Sequence, residues 1–237
     1  MKNVLVTGAT KGIGKEIATV LSENYNVFII GRNKEALREL VKNTNIKDFI
    51  AIDLSSEQAC YEIVKKFPDI DVLINNAGEY IYKEIGEYTT EDIEKLFKIN
   101  SQVPFLLTSL YAKNMKEKKW GRIVNIGSIS AMIGEAGASL YSATKSSLCG
   151  LSKAVGLELA EYGITVNTIH PGWVDTNLAQ ESINQSDFSV DEIVETIPQR
   201  RFISPNEIAN LVKYLISDDA KGLTGQNINL CAGLTIG

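Results

Sequence analysis

Short runs rich in β-branched residues alternate with longer amphipathic stretches along the whole of this 237-residue chain, and that alternation restricts its fold more than anything else. Strand-like runs are predicted at residues 3–7, 26–30, 48–52, 71–75, 121–127, 164–169 and 226–230. Between them, residues 13–24, 34–43, 57–67, 90–116, 141–162 and 205–216 carry apolar side chains at helical spacing, several behind a Ser, Thr or Asn that can cap a helix start. A helix-length crossover suits parallel neighbouring strands, with helices covering both faces of the sheet, so an α/β fold is expected. No linker breaks the series, which predicts one domain over residues 1–237. The polar segment 177–201 fits least well and is expected to cover a pocket as a substrate-binding lid; an ordinary surface helix pair is the alternative.

Composition narrows the function classes. A net charge of −5 gives no overall attraction to nucleic acid or an anionic membrane, and the one basic run, from Lys113 to Lys119, is short and interrupted by Glu117. No apolar run approaches the roughly 20 residues of a membrane span, and Met1-Lys2 leads straight into a strand, so a cytoplasmic protein is expected. Cys60, Cys149 and Cys231 are far apart and odd in number, which suits reduced, packed thiols. His170 is the only histidine, so neither a histidine triad nor a histidine metal site is expected, and no metal is predicted.

Thr7-Gly8-Ala9-Thr10-Lys11-Gly12-Ile13-Gly14 follows the first strand and opens the first helix. Helix amides and dipole there favour an anion, and glycine lets backbone approach a pyrophosphate. At the end of the second strand, where an acid would hold a ribose 2′-hydroxyl, stand Gly31, Arg32 and Asn33. Arg32 with Lys11 therefore predicts a 2′-phosphate, hence NADP (NADPH) before NAD. Asp53, beside Leu54, is placed to accept from an adenine amino group or to cap the helix expected near Ser55. Asn75-Asn76-Ala77-Gly78 ends the fourth strand with small residues and amides that can tie strands together. Asn100 is a polar residue on an apolar helix face, where a buried amide needs a specific role. Ser128 closes the fifth strand; Tyr141 and Lys145 are four apart and share a helix face.

Taken together, Thr7-Gly8-x3-Gly12-Ile13-Gly14, Asn75-Asn-Ala-Gly78, Asn100, Ser128, Tyr141-x3-Lys145 and Pro171-Gly172 resemble the short-chain dehydrogenase/reductase family in its single-domain form, from Met1 to Gly237. The resemblance implies a Rossmann-type doubly wound sheet of seven strands, a nicotinamide cofactor and a catalytic tetrad of Asn100, Ser128, Tyr141 and Lys145. It also implies that Pro171, Gly172, Val174 and Thr176 cradle the nicotinamide, that Asn100 fixes a water feeding protons to Lys145, and that the chain forms a homotetramer. The helices at 90–116 and 141–162 carry more apolar residues, among them Phe97, Phe105, Leu106, Leu110, Leu148, Leu151, Val155 and Leu159, than one sheet-facing stripe explains, which also predicts an oligomer.

The tetrad also makes chemical sense on its own. Hydride arriving at a carbonyl carbon puts negative charge on oxygen, so the site must donate a proton, from Tyr141, and a second hydrogen bond, from Ser128. A cation about 4 Å from the phenol, at an effective dielectric near 20, is worth roughly 4 kcal/mol, so Lys145 is expected to lower the tyrosine by about three units. Within the family the chain is most similar to 3-oxoacyl-carrier-protein reductases. Lys118 and Lys119 fit one of the basic places that dock an acidic carrier, whereas Tyr162 occupies the other. Sugar, polyol or other secondary alcohol substrates stay open, as does a catalytically idle nucleotide-binding sensor or scaffold.

Overall fold

The computed structural model describes residues 1–176, 183 and 189–236. All seven predicted strands are present, as β1 (Asn3–Thr7), β2 (Asn26–Gly31), β3 (Asp48–Ala51), β4 (Val72–Asn75), β5 (Gly121–Ile126), β6 (Ile164–Pro171) and β7 (Asn227–Leu230). They pair in parallel throughout, in the order β3-β2-β1-β4-β5-β6-β7. After β3 the chain returns past β1 to lay β4 on its other side, so the strand order reverses between β1 and β4. A crevice opens at such a reversal, beyond the carboxyl ends of the strands.

Successive side chains leave a strand on opposite faces. Val4 and Val6 of β1 enter one core, together with α1 (Gly12–Ser22), α2 (Lys34–Asn43) and the helix Pro205–Leu215. Leu5 enters the other, with α3 (Ala59–Lys66) and two long helices described next. Covered faces on both sides are why these strands read as near-continuous apolar runs.

The helix expected across 90–116 is two helices, α4 (Thr90–Phe97) and α5 (Val103–Lys118), joined by a π-helical turn at Lys98–Gln102. Pro104 supplies the reason: it has no N–H to return to the Asn100 carbonyl, and in a regular helix its ring would press on that carbonyl. The widened turn passes this point with the Val103 N–H bonded to the Lys98 carbonyl, and it carries the buried Asn100. After a short α6 (Ser130–Ile133), α7 (Ser139–Leu159) packs on β6.

Of the expected lid, residues 177–182 and 184–188 lie outside the described residues. The described remainder is Ile183, which is buried, and the stretch from Ser189, which caps α8 (Val190–Thr196) through a reciprocal box with Glu192; Pro205–Leu215 is α9, boxed likewise by Ser204 and Glu207. Among the described residues, no helix is long and apolar enough to cross a membrane. Leu148 and Leu159 are buried within their own chain and so present nothing to a partner, whereas Phe105 on α5 and Leu157 on α7 are exposed.

Candidate active site

β1 runs directly into the glycine turn, where Gly8 and Gly12 take positive φ values of 68° and 55°. Gly8 and Gly14 are also required by crowding: a Cβ on Gly8 would stand 2.8 Å from the Ala77 Cα, and one on Gly14 only 2.3 Å from Asn76 Nδ2. Asn76 staples the turn to the end of β4. Its Nδ2 donates to the carbonyls of Thr7 (2.9 Å) and Gly8 (3.1 Å), while the Thr7 hydroxyl accepts from the Asn76 and Ala77 amides. Beneath it, Asn75 Nδ2 donates to Asn125 Oδ1 at 2.8 Å and ties β4 to β5.

Above this turn lies a cavity of about 510 Å3. The predicted Gly8, Thr10, Lys11, Gly12, Ile13, Gly14, Arg32, Asp53, Leu54, Asn76, Ala77, Gly78, Tyr141, Lys145 and Thr176 all line it. The start of α1 at its wall, the glycine cradle that a Cβ would fill, and the elongated lining from β2 to α7 fit a dinucleotide.

Two residues the sequence did not flag, Glu79 and Lys95, stand at the Arg32 corner. One Glu79 oxygen accepts from Arg32 Nη1 at 2.8 Å and the other pairs with Lys95 Nζ at 2.8 Å. Arg32 and Lys95 are largely exposed, so these bonds add little to stability; their consequence is to gather two cations around one carboxylate. Asp53 accepts from the Ser55 amide at 2.9 Å, and chiefly that bond holds its carboxyl below the ordinary range. It closes a local turn. Because α3 starts only at Ala59, Asp53 does not cap that helix as one expectation had it. The Asn33 side chain accepts from the Ala36 amide at 3.0 Å and caps α2.

Ser128, Tyr141 and Lys145 converge where β5 ends. Lys145 is buried, its Nζ donating to the Ile126 carbonyl at 2.9 Å and standing 5.8 Å from the centre of the Tyr141 ring. Gly78 makes room for it, since a Cβ there would meet Lys145 Nζ at 3.1 Å and Asn100 Oδ1 at 3.3 Å. Asn100 Nδ2 donates to the Glu79 carbonyl (2.9 Å) and Thr144 Oγ1 (3.0 Å), and its Oδ1 accepts the Glu79 amide at 2.9 Å. The buried amide therefore fixes the Gly78-Glu79 backbone between cavity and helix. His170, fully buried, braces Ser128 from behind, its Nδ1 2.9 Å from the Ser128 carbonyl oxygen and its Nε2 3.0 Å from Asn227 Oδ1.

The expected electrostatics of the pair are corrected. Burial pushes Tyr141 up to about 12, against a smaller downward pull from its hydrogen bond with Ser128, and Glu135 adds to the rise. Burial pushes Lys145 down to about 8. Loss of water is the leading cause for both groups, and the ammonium is aimed at the Ile126 carbonyl.

A second cavity of about 230 Å3 meets the first at Tyr141. Pro171, Gly172 and Val174 line it with Ser128, Ile129, Ile133 and Trp173, while Thr176 borders both cavities. Its polar members are Ser128, Ser130, Glu135, Tyr80, Tyr141 and Thr176. Tyr80 donates to Glu135 Oε1 at 2.8 Å and meets the Tyr141 ring edge-on, with centroids 5.0 Å apart. Ser130, Glu135, Trp173 and Tyr80 were missed by sequence reading. The only hint was position, since Ser130 and Glu135 fall between Ser128 and Tyr141.

A reversed parallel sheet with a glycine cradle, and a phenol, hydroxyl and buried lysine at its mouth, defines a dinucleotide-dependent oxidoreductase of the Rossmann class. Residues 2–187 match the short chain dehydrogenase family, and the chain belongs to it. It is 34% identical over 237 residues to the 3-oxoacyl-[acyl-carrier-protein] reductase of Rickettsia felis, with 98% of this chain and 96% of that protein covered. It is 36% identical over 251 residues to the uncharacterized oxidoreductase YxjF of Bacillus subtilis, with 98% and 97% covered. The structure of a variant actinorhodin polyketide ketoreductase with NADPH superposes at a TM-score of 0.91 and 36% identity, covering 100% of this chain and 98% of that one.

Proposed function

We propose that this protein is an NADPH-dependent reductase of 3-oxoacyl thioesters, with Tyr141 as general acid. The observation that carries the reading is the meeting of the two cavities at Tyr141, with Lys145 on the dinucleotide side and Ser128 on the other. The bound dinucleotide supplies the hydride. As charge builds on the substrate oxygen, Tyr141 gives it a proton and Ser128 a hydrogen bond. A phenol held near 12 keeps its proton until an oxyanion forms beside it, and Lys145 then offsets the phenolate charge. Asn100, at the π turn, keeps Gly78 and Glu79 set against Lys145 and is a positioning residue.

The relatives named above as a carrier-protein reductase and a ketoreductase support a 3-oxoacyl substrate, and the apolar wall of Ile129, Ile133, Trp173 and Val174 suits its acyl chain. On the carrier side, Lys118 is engaged by Asp69 and by Asp71 (2.7 Å), whereas Lys116 lies 5.1 Å over the Tyr162 ring and supplies a cation where Tyr162 itself has none. Arg32, Lys95 and Lys11 support NADPH as the preferred dinucleotide over NAD. Exposed Phe105 and Leu157 support assembly into a homotetramer through α5 and α7. A sugar or polyol alcohol is the second reading, favoured by Glu135 and Tyr80 in the smaller cavity.

NADPH oxidation is the test, followed by absorbance with acetoacetyl thioesters, ketones, aldehydes and keto sugars. Preferred turnover of the thioesters is expected. Turnover of keto sugars alone would transfer the assignment to the second reading, and binding of NADPH with no turnover of any carbonyl would leave a nucleotide-binding sensor.

A further inference from the structure

Ser128 does not stand alone in the smaller cavity. Its hydroxyl donates to Ser130 Oγ at 3.0 Å, Ser130 Oγ donates in turn to Glu135 Oε2 at 2.5 Å, and the Ser130 amide donates back to Ser128 Oγ at 3.1 Å. Both Glu135 oxygens accept, one from Ser130 and one from Tyr80. A carboxylate used in this way has no proton to give. Ser130 has a single hydroxyl proton, which the carboxylate draws; its oxygen is left as an acceptor, and the single proton of Ser128 is drawn to it. The direction of the whole chain is set at Glu135.

We propose that Glu135 is a positioning residue that, through Ser130, turns the Ser128 hydroxyl into a hydrogen-bond acceptor toward the reacting group. An alcohol, which brings a proton, is then held better than a ketone, which brings only lone pairs. The ketone engages Ser128 only after that hydroxyl leaves Ser130. The overall equilibrium is fixed by the reactants, so the effect falls on how the two ligands bind. This rests on the reading of Ser128 as the partner of the substrate oxygen.

The test is calorimetric and uses unreactive pairings: ethyl 3-hydroxybutanoate titrated into the NADPH complex and ethyl acetoacetate into the NADP+ complex. The preference for alcohol over ketone is the ratio of the two dissociation constants. Ser130→Ala and Glu135→Ala are each expected to lower that preference about fivefold, the scale of one neutral hydrogen bond. The double variant should fall no further, because both act on one chain. Alanine is used at 135 because glutamine can still turn an acceptor toward Ser130. Tyr80→Phe removes the other bond to Glu135 but leaves the chain whole, and should change the ratio less than about twofold. Ratios within twofold of wild type for both alanine variants would overturn the proposal. So would a shift in Tyr80→Phe as large as in Glu135→Ala, which would trace the effect to ring packing. A wild type that binds neither ester counts against the substrate reading instead, and the same ratios and criteria then apply to cyclohexanol and cyclohexanone, which present only the reacting group. Thermal midpoints of the variants separate misfolding from a lost preference.

Discussion

The dinucleotide cavity and the smaller cavity beside it share Tyr141 yet are built from different materials. The first is made largely of backbone: a glycine turn at positive φ, amides at the start of α1, and small residues after β4, stapled by Asn76. The second is made of side chains from three separate places, with Tyr80 after β4, Ser130 and Glu135 after β5, and Trp173 after β6. Backbone cradles suit a ligand whose phosphates and ribose never change. Side-chain walls can be replaced one residue at a time without disturbing the sheet, which is how a single scaffold serves many substrates.

The sharpest way to break this contrast is Tyr141→Phe at the shared point. The variant should fold and bind NADPH as the wild type does but lose turnover by a factor on the order of 10³ or more, the scale of a lost general acid with its hydrogen bond. Near wild-type rates would show that the two cavities do not cooperate through this hydroxyl.

At the backbone-built cavity, specificity is predicted to sit in its few side chains. Arg32→Ala should weaken NADPH binding by about 1.5–3 kcal/mol, or ten- to a hundredfold, and change NADH binding little. A wild type that prefers NADH would refute the reading of this corner.

Lys145 tests burial itself. Its folded value of about 8 lies below the ordinary 10.5. Between those values the unfolded chain keeps a proton that the folded chain has released, so this group's contribution to stability rises with pH across the window. Relative to Lys145→Met, the wild type should gain roughly 1–2 kcal/mol between about pH 8 and pH 9.5, read by denaturant unfolding. A constant difference would mean that the lysine is not held in its neutral-favouring environment.

The smallest effect is expected from Glu79→Gln. Removing the carboxylate that occupies Arg32 and Lys95 should tighten NADPH up to about fivefold and leave NADH unchanged, because exposed ion pairs are individually weak. Equal tightening of both dinucleotides would place Glu79 away from the distinguishing phosphate.

Much of the first cavity was legible in the sequence because its parts are local. A strand, a glycine turn and a helix start follow one another within Asn3–Ser22, and the acceptable residues are dictated by backbone geometry. Tyr141 and Lys145 were legible for the same reason, being one helical turn apart. The local roles of Asp53 and Asn33 were not legible, because a short polar side chain serves a turn, a cap or a ligand equally well, and only the surrounding backbone selects among the first two. The break in the long helix had a local sign, Pro104, but its consequence for Asn100 depended on how the chain passes that residue.

By itself, then, the sequence determined the seven strands, most of the helices between them, the glycine turn and the residue types of the Ser128, Tyr141 and Lys145 group, which follow from periodicity and spacing over a few residues. Tertiary structure alone decided that Glu79 gathers Arg32 and Lys95, that Tyr80 and Ser130 share the Glu135 carboxylate, and that Tyr141 is raised rather than lowered. The reason is physical: a hydrogen bond, an ion pair or a desolvated phenol depends on distances and water exclusion between segments that meet only when the sheet is assembled, and no spacing along the chain encodes them.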